Sequence, residues 1–572
     1  MKTFERTFFD AGQRFQTIGG GALGGKAGGL ALANDVLADR KFAVEVSIPS
    51  LTVLGTDVFE EFVRRNEVTA DDDEGIARAF QRGDLPPRIV GDLRALIEQV
   101  HTPLAVRSSA LHEDELAHPS AGAYLTKMIP NNDPSADNRF RSLTEAIKLV
   151  WASARFRGGA DPMAVILQEV VGTRFHDRFY PHVSGVARSW NFYPSGNARP
   201  DEGVTSLALG LGKTIVDGGI CWTYSPAWPT APAPFASPDE LAQSTQTEFW
   251  AVRMGKPPEY DPTRETEYLV RGSLADAEED GTLRRIASTL DRASGQIRMG
   301  TGTPGPRVLD FAPMLALREP PMNDVVRELL AIFADALHAP VEIELAMTFD
   351  PNRFAFLQVR PMNVPSEVVN VGEEELARAI VASTRVLGNG TISDVRDVIY
   401  VKNADRLDTR TIARDLARMN REVGKYVLIG FGRWGSSDPS LGVPVVWRDI
   451  DNVRALVEAM TPAMNVEPSQ GSHFFHNLSA AGVPIFTVPL SGRARIDWEW
   501  LERATLVSET AHVRHVRSEE PLEIRVDGRS GRGVIGTAAV PAADAHASRV
   551  RRCGRDARTS AGGDAGGPEE TS

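Results

Sequence analysis

The stretch LAVRSSALHEDELAHPSAG, residues 104–122, decides the fold that we predict for this chain. It opens as a short apolar strand and then reaches Arg107, which is followed by two serines and an acidic segment. A guanidinium at the end of a buried strand suits an anion, because it is planar, always charged and able to grip phosphate oxygens in pairs. In a simpler interpretation Arg107 forms an ion pair with Glu113 or Asp114. The RSS tripeptide alone does not decide between this ion pair and an anion-binding site.

The segment as a whole resembles the signature of the ATP-binding domain shared by phosphoenolpyruvate synthases and pyruvate phosphate dikinases. The shared features are a strand, VRSSA, an acidic pair and a Ser-x-Gly loop. Further motifs of this family lie before and after this segment in the family's order, and together they cover about residues 15–362. The resemblance implies an ATP-grasp-like unit with ATP and Mg²⁺ between two lobes, in which Arg107 contacts phosphate and takes part in catalysis.

Length and composition limit the classes of protein that this chain can belong to. A chain of 572 residues is too long for a single core and suggests about two to four domains. The net charge of −13 argues against a nucleic-acid partner. No apolar run could cross a membrane, the N-terminus has no apolar signal region, and two cysteines cannot form a disulfide framework. We therefore expect a cytoplasmic protein without a nucleic-acid or membrane partner.

A glycine-rich segment, IGGGALGGKAGGLALANDVL at residues 18–37, precedes this central stretch. A helix is predicted to begin just after Lys26, and its free amides together with the lysine could hold a phosphate. A flexible loop would explain the glycines equally well, and the pattern is not a Walker motif because no Ser or Thr follows the lysine. The segment resembles the family's GGKxxxL motif, which implies that Lys26 contacts nucleotide phosphate.

Two later segments resemble the part of the family's domain that surrounds the nucleotide. MAVILQEVVG, residues 163–172, reads as a buried strand that ends in a polar dipeptide. The resemblance implies that adenine is received at the hinge formed by Gln168, Glu169 and Val170, although a core strand with a capping Gln is an equally good interpretation. In LALGLGKTIVDGG, residues 207–219, two glycines allow close approach of the backbone to a ligand. These two candidate cofactor-binding residues are Gly210 and Gly212.

The candidate metal site lies on two predicted paired strands, VEIELAM and FAFLQVRPM. Glu342 and Glu344 share one face of the first strand, and Gln358 and Arg360 share one face of the second, since side chains alternate. Oxygen ligands suit Mg²⁺ and a guanidinium suits phosphate, whereas the simpler interpretation is a set of cross-strand ion pairs. The segments resemble the family's DIEWA and LQxRP motifs. This implies that Glu344, Gln358 and Glu342 (in place of the usual Asp) bind metal, and that Arg360 binds phosphate.

Beyond this unit the sequence predicts a linker helix at residues 366–384 and a smaller α/β domain at residues 385–535, after an ATP-grasp-like domain at residues 1–365. Residues 536–572 lack periodicity and are predicted to be disordered. The segment SQGSHFFHNLSAAGVPIFTV, residues 469–488, is similar to the phosphohistidine swivelling domain of the same family. The resemblance implies that His473 is a nucleophile that accepts phosphate. A helix-capping histidine or one in an aromatic cluster is the alternative.

These patterns lead to one main functional hypothesis and two alternatives. The main one is an α/β protein that uses ATP and Mg²⁺ as a phosphotransferase, passing phosphate to His473 and then to an unknown acceptor. The partner would be a second copy of the chain or a separate acceptor-domain protein. No stretch resembles the family's pyruvate-binding barrel, so pyruvate is not the expected substrate. The first alternative is a nucleotide-binding regulatory module with reduced chemistry. The second alternative, a dinucleotide-dependent oxidoreductase, is supported by the glycine-rich segment alone.

Overall fold

The fold was analysed in a computed structural model of the full chain. The residues that the structure describes are 1–6, 15–68, 70, 72–111, 124–192, 194, 197–231, 237–362, 364, 369–402, 408–436, 438, 440–462, 464, 474, 478, 481–528 and 530–537. Of the predicted disordered tail, 536–572, the first two residues end the strand Arg532–Thr537, and residues 538–572 lie outside the described residues. The acidic segment after the RSS motif and His473 lie outside them as well. None of the described helices is both long and apolar enough to cross a membrane.

The first lobe is built on a six-stranded sheet with the RSS strand near one edge. In spatial order its strands are Lys2–Thr3, Phe15–Ile18, Leu51–Leu54, Met163–Glu169, Leu104–Ala110 and Thr126–Ile129. The helices of this lobe are Thr56–Arg65, Asp73–Arg82, Pro87–Gln99 and Ala136–Ser153. The last of them begins where the Ser135 side chain accepts a hydrogen bond from the Asn138 N–H. Its buried stripe packs into the core, where the rings of Phe62 and Trp151 lie 5.1 Å apart.

The second lobe is built on another six-stranded sheet, which carries the predicted metal-site strands at its centre. In spatial order its strands are Trp222–Tyr224, Val204–Ala208, Val183–Arg188, Val341–Thr348, Arg353–Pro361 and Glu45–Ser47. The amphipathic helix Met322–Leu337 packs its apolar face against this sheet, with Phe333 stacked on Phe356 at 4.7 Å. Helix Gly24–Leu37 contacts strands of both sheets and so joins the two lobes.

Smaller elements complete this half of the chain. A four-stranded sheet contains Leu269–Ser273, Glu248–Arg253, Arg178–Tyr180 and Thr173–Phe175, and a three-stranded sheet contains Gln296–Met299, Ser288–Asp291 and Arg307–Val308. The short helices are Lys213–Val216, Pro238–Gln243, Leu274–Glu279 and Ala312–Leu317, and the 3-10 turns are Phe156–Gly158, Pro200–Glu202 and Thr282–Arg285.

The remaining part of the chain forms one large mixed sheet. Nine strands follow one another in space as Val386–Leu387, Ile485–Val488, Val453–Ala459, Tyr426–Phe431, Gly390–Val401, Val513–Asp527, Arg532–Thr537, Val381–Ser383 and Arg495–Ile496, and a tenth, Thr505–Glu509, pairs with Val513–Asp527. Four neighbouring strands, from Ile485–Val488 to Gly390–Val401, run parallel. The helices here are Glu373–Arg378, Thr409–Glu422 and Trp498–Arg503, with a 3-10 turn at Trp447–Asp449 and a two-stranded sheet of Arg433–Trp434 and Gly442–Val443.

The mixed α/β class predicted from the sequence is confirmed. Within the predicted linker region, 366–384, the described helix is confined to Glu373–Arg378, and Val381–Ser383 is a strand. The strand is favoured there because all three of its residues are buried and paired with Arg532–Thr537 in the large sheet. The predicted domain limits themselves stay predictions.

Candidate functional site

A cleft of about 540 Å³ lies where the two lobes meet the C-terminal part of the chain. Polar residues from all three parts of the chain line it. From the first lobe these are Asp73, Arg107, Tyr124, Thr126, Gln168 and Glu169; from the second lobe Ser184, Lys213, Asp217, Glu265 and Glu344; and from the C-terminal part Arg448. Val170 and Gly212 also line it. The structure therefore brings most of the predicted nucleotide-binding residues to one cavity.

Arg107 connects the two lobes at the floor of this cleft. Its Nη1 donates to Gln168 Oε1 at 3.0 Å and to the Leu357 carbonyl at 3.1 Å. Its Nη2 donates to Gln358 Oε1 at 2.8 Å and to Glu344 Oε2 at 3.3 Å. The side chain is only 12% exposed, so these four acceptors satisfy a nearly buried cation. None of these partners is Glu113 or Asp114, both of which lie outside the described residues.

The register of the second sheet explains why Glu344 and Gln358 meet the same guanidinium. Strands Val341–Thr348 and Arg353–Pro361 are antiparallel, with Glu344 directly opposite Gln358 and Glu342 opposite Arg360. Cross-strand partners of this kind project from the same face of the sheet. The pairing of the two strands was predicted from the sequence, and it places the carboxylate and the amide oxygen side by side.

Glu342 and Arg360 lie deeper on that face and bind each other. Glu342 Oε1 accepts from Arg360 Nε at 2.7 Å and also contacts Nη2, while Glu342 Oε2 accepts from Arg188 Nε at 2.6 Å. All three residues are 2% exposed. Both carboxylate oxygens are thus engaged by guanidinium groups, which argues against direct metal coordination by Glu342 and against a direct phosphate contact by Arg360.

Arg188 is a member of this cluster that the sequence interpretation missed. It ends the strand Val183–Arg188, which pairs with Val341–Thr348 so that Arg188 stands opposite Glu342. A positive residue at the end of an otherwise apolar strand was the available signal, but its partner lies 154 positions away. Only the sheet register identifies that partner.

Lys26 lies in the first turn of helix Gly24–Leu37, which is held against the RSS strand. Its Nζ donates to Ser108 Oγ at 3.2 Å, and the Ala27 N–H donates to Ser109 Oγ at 3.1 Å. Gly24 has a φ of +78°, and a Cβ there would come within 1.9 Å of the Ser109 carbonyl oxygen. The glycine-rich turn is therefore a close-packed junction that keeps Lys26 next to the strand of Arg107.

The predicted adenine-binding residues lie on the cleft wall with several of their groups already bonded. The N–H groups of Glu169 and Val170 donate to the carbonyls of Ser50 and Pro103 at 3.0 and 2.8 Å. Gln168 differs, because its side-chain Nε2 is buried and has no hydrogen-bond partner among the described residues. Since Arg107 occupies Gln168 Oε1, this amide orientation is fixed and one N–H₂ donor remains for a ligand.

The two candidate glycines have different surroundings. Gly212 lines the cleft, and a Cβ there would meet no atom closer than 3.8 Å. Gly210 has a φ of +82°, and a Cβ there would come within 2.6 Å of the Trp250 carbonyl oxygen. A glycine is thus required at position 210 because the turn has a positive φ and packs closely on the four-stranded sheet.

Lys213 forms part of a charged group on the cleft wall. Its Nζ lies 3.3 Å from Asp217 and 3.8 Å from Glu265. Burial alone would lower the pKa of Lys213, but the charges of Glu265 and Asp217 raise it above its ordinary value. Lys213 is therefore a charged lysine whose charge is balanced by two carboxylates.

The C-terminal part of the chain closes one side of the cleft. Its contribution consists of Gly435, residues 444–448 and Phe474. Arg433 Nη1 donates to the Gly218 carbonyl at 2.9 Å, and Arg448 Nη1 donates to the Phe156 carbonyl at 3.0 Å, so two arginines hold this part against the lobes.

No cluster of three or more His, Cys, Asp or Glu side chains suited to a metal occurs among the described residues. Magnesium usually takes only one or two carboxylates from the protein and completes its shell with phosphate oxygens and water. Glu344 and Gln358, whose oxygens converge on one point occupied by Arg107, fit such a partial ligand set.

Comparison with known proteins gives one family. The family model described as the pyruvate phosphate dikinase AMP/ATP-binding domain matches residues 21–378, more than half of the chain. The matched range includes the second lobe, most of the first lobe and every site residue predicted from the sequence except His473. A search of curated proteins found no match.

Proposed function

The chain belongs to the family of the pyruvate phosphate dikinase AMP/ATP-binding domain, and on this premise we propose that it is an ATP- and Mg²⁺-dependent phosphotransferase. It binds ATP in the cleft and passes a phosphoryl group to His473 and then to an acceptor that the sequence does not identify. The observation that carries the proposal is the position of Arg107, whose guanidinium joins both lobes at the floor of the cleft.

Phosphate binding rests on Arg107 and Lys26. A guanidinium held by four neutral or acidic acceptors is oriented before a ligand arrives, so little side-chain entropy is lost on binding. Lys26 adds a second charge beside the same strand through its bond to Ser108. Arg360 supports this site by fixing Glu342 and with it the strand that carries Glu344.

Metal binding rests on Glu344 and Gln358, the pair that fits magnesium. When bound, the ion would neutralise phosphate charge and orient the transferred group. Glu342 was predicted as a third ligand, and the ion pairs to Arg188 and Arg360 give it a supporting role in the proposal.

Adenine recognition rests on Gln168. Its buried Nε2 group lines the cleft without a partner among the described residues, and an unpartnered buried donor is costly unless a ligand accepts from it. A purine nitrogen is an acceptor of the required kind.

The phosphoryl carrier in this proposal is His473, which precedes Phe474 in the sequence. Phe474 lines the cleft, so the chain next to His473 reaches the nucleotide site. A neutral imidazole has a lone pair that can attack phosphorus. As the N–P bond forms, the P–O bond to the nucleotide breaks and ADP leaves, or AMP and phosphate where a second P–O bond is hydrolysed.

The test is incubation of the full chain with Mg²⁺ and ATP labelled in the transferable phosphate groups. We expect an acid-labile and base-stable phosphoprotein that His473→Asn abolishes while ATP binding persists. The matched control is His101→Asn, because His101 is exposed and, within the described ranges, its one hydrogen bond is to the Glu98 carbonyl. Label retained in the His473 variant would exclude it as carrier.

A nucleotide-binding regulatory module is the second candidate, and one observation favours it. The cations and carboxylates of the site neutralise one another, since Arg107 binds Glu344 and Arg360 binds Glu342. In this alternative ATP binds, no label is transferred and neither ADP nor AMP accumulates.

A further inference from the structure

The C-terminal part of the chain places one arginine in the wall of the cleft. Arg448 follows the short strand Gly442–Val443 and lies in the 3-10 turn Trp447–Asp449. It lines the same cavity as Arg107 and Glu344, although it is about a hundred residues further along the chain than Glu344.

Three cations line the cleft among the residues that the structure describes, and Arg448 differs from the other two in its partners. Arg107 is paired with Glu344, and Lys213 is paired with Asp217 and Glu265. In the part of the chain that the structure describes, Arg448 donates one hydrogen bond, to the Phe156 carbonyl, and has no carboxylate partner. A guanidinium has five N–H donors, so several remain for a ligand.

The turn that carries Arg448 is fixed by its own hydrogen bonds. The Val446 N–H donates to Asp449 Oδ2 at 3.0 Å, and the Ile450 N–H donates to the Trp447 carbonyl at 3.0 Å. The guanidinium carbon lies 6.0 Å from the centre of the Tyr124 ring in the first lobe. Arg448 is therefore positioned before a ligand binds, as a binding group should be.

The other charges that line the cleft show why an arginine at this position matters for ligand binding. The lining carboxylates outnumber the cations and are Asp73, Glu169, Asp217, Glu265 and Glu344. An anionic ligand would be repelled by such a wall unless unpaired positive charge faced it. Among the described lining residues, Arg448 supplies that charge.

We propose that Arg448 binds the phosphate groups of the nucleotide, so that the ATP site is completed by the C-terminal part of the chain. This inference rests on the proposed ATP binding and adds a residue outside the matched family range to the site.

The test compares ATP with adenosine, which lacks the phosphates, by titration calorimetry of the full chain in the presence of Mg²⁺. Arg448→Ala and Arg448→Gln should weaken ATP binding roughly ten- to hundredfold and leave adenosine binding unchanged. Arg448→Lys should retain part of the affinity. Arg448→Gln keeps a donor for the Phe156 carbonyl, so it separates loss of charge from loss of this anchor.

The control is Arg410→Ala, an exposed arginine of the same part of the chain. Unchanged ATP affinity in Arg448→Gln would overturn the inference while leaving ATP binding by the parent intact. An equal loss for ATP and adenosine would also overturn it, because it would mean that Arg448 only shapes the cleft. A parent chain that binds no ATP would refute both the inference and the proposed function.

Discussion

Replacing Glu342 with Gln removes the carboxylate that two buried guanidinium groups share. Glu342 accepts from Arg188 and Arg360 at 2.6 and 2.7 Å, and all three residues are 2% exposed. Breaking a buried ion pair by removing one partner costs about 3–5 kcal/mol, because the remaining charge stays buried without compensation. Gln has nearly the same volume as Glu, so no cavity adds to this cost.

The assay is native-state hydrogen exchange of the amides in strand Val341–Thr348, which reports the free energy of opening of this sheet without assuming that the whole chain unfolds at once. We expect Glu342→Gln to lower that free energy by about 3–5 kcal/mol. The matched control is Glu248→Gln, which breaks the exposed pair to Arg271 and should cost at most about 1 kcal/mol.

Two outcomes would refute this reasoning. If Glu342→Gln opened no more easily than the control, the buried cluster would not stabilise the sheet. If opening were unchanged but Mg²⁺-dependent ATP affinity were lost, Glu342 would act as the metal ligand that the sequence predicted, and its contacts to Arg188 and Arg360 would be secondary.

Two further predictions concern stability. Gly24→Ala should lower the free energy of unfolding by about 1–3 kcal/mol, because the φ of Gly24 is positive and an added Cβ would clash with Ser109. The control is Gly28→Ala in the same helix, where an added Cβ meets no atom within 4 Å and should leave stability unchanged or raise it. Urea denaturation measures both, and equal curves for the two variants would contradict this reasoning. Burial lowers the pKa of His182 from 6.5 to about 4, so the unfolded chain binds a proton that the folded chain does not, and stability should fall by up to roughly 3 kcal/mol as the pH drops from about 6.5 to about 4. His182→Gln should remove this loss in thermal melts across that pH range and His101→Gln should not; an unchanged pH dependence in the first variant would disprove the assignment.

Motifs with a local physical meaning could be predicted from the sequence with good accuracy. The RSS strand, the helix after the glycine-rich turn and the pairing of the two metal-site strands all occur in the structure, and the family match confirms the resemblance on which they were interpreted. The helix begins at Gly24, before the predicted start after Lys26, and in its first turn Ser109 of another strand accepts from the Ala27 N–H and donates to the Leu23 carbonyl. A cap from a distant residue leaves no local signal.

The partners of charged residues could not be predicted in the same way. The sequence placed Glu342 and Arg360 among ligand-binding residues, and the geometry pairs them with each other and with Arg188. Alternation along a strand shows which side chains share a face. It does not show how deeply each lies or which third strand is adjacent, and burial decides whether a charge meets a ligand or another charge.

The sequence by itself determined the fold class, the family and the residue types of the nucleotide site, because strand alternation, helical periodicity and the motif order are local properties of the chain. Only the tertiary structure decided that Arg107 reaches acceptors 61, 237, 250 and 251 positions away. It likewise decided that the loop carrying Arg448 closes the cleft. Those contacts depend on how the two lobes and the C-terminal part of the chain pack against one another. Packing brings together segments that are far apart along the chain, and the number of residues between two segments does not predict their distance in space.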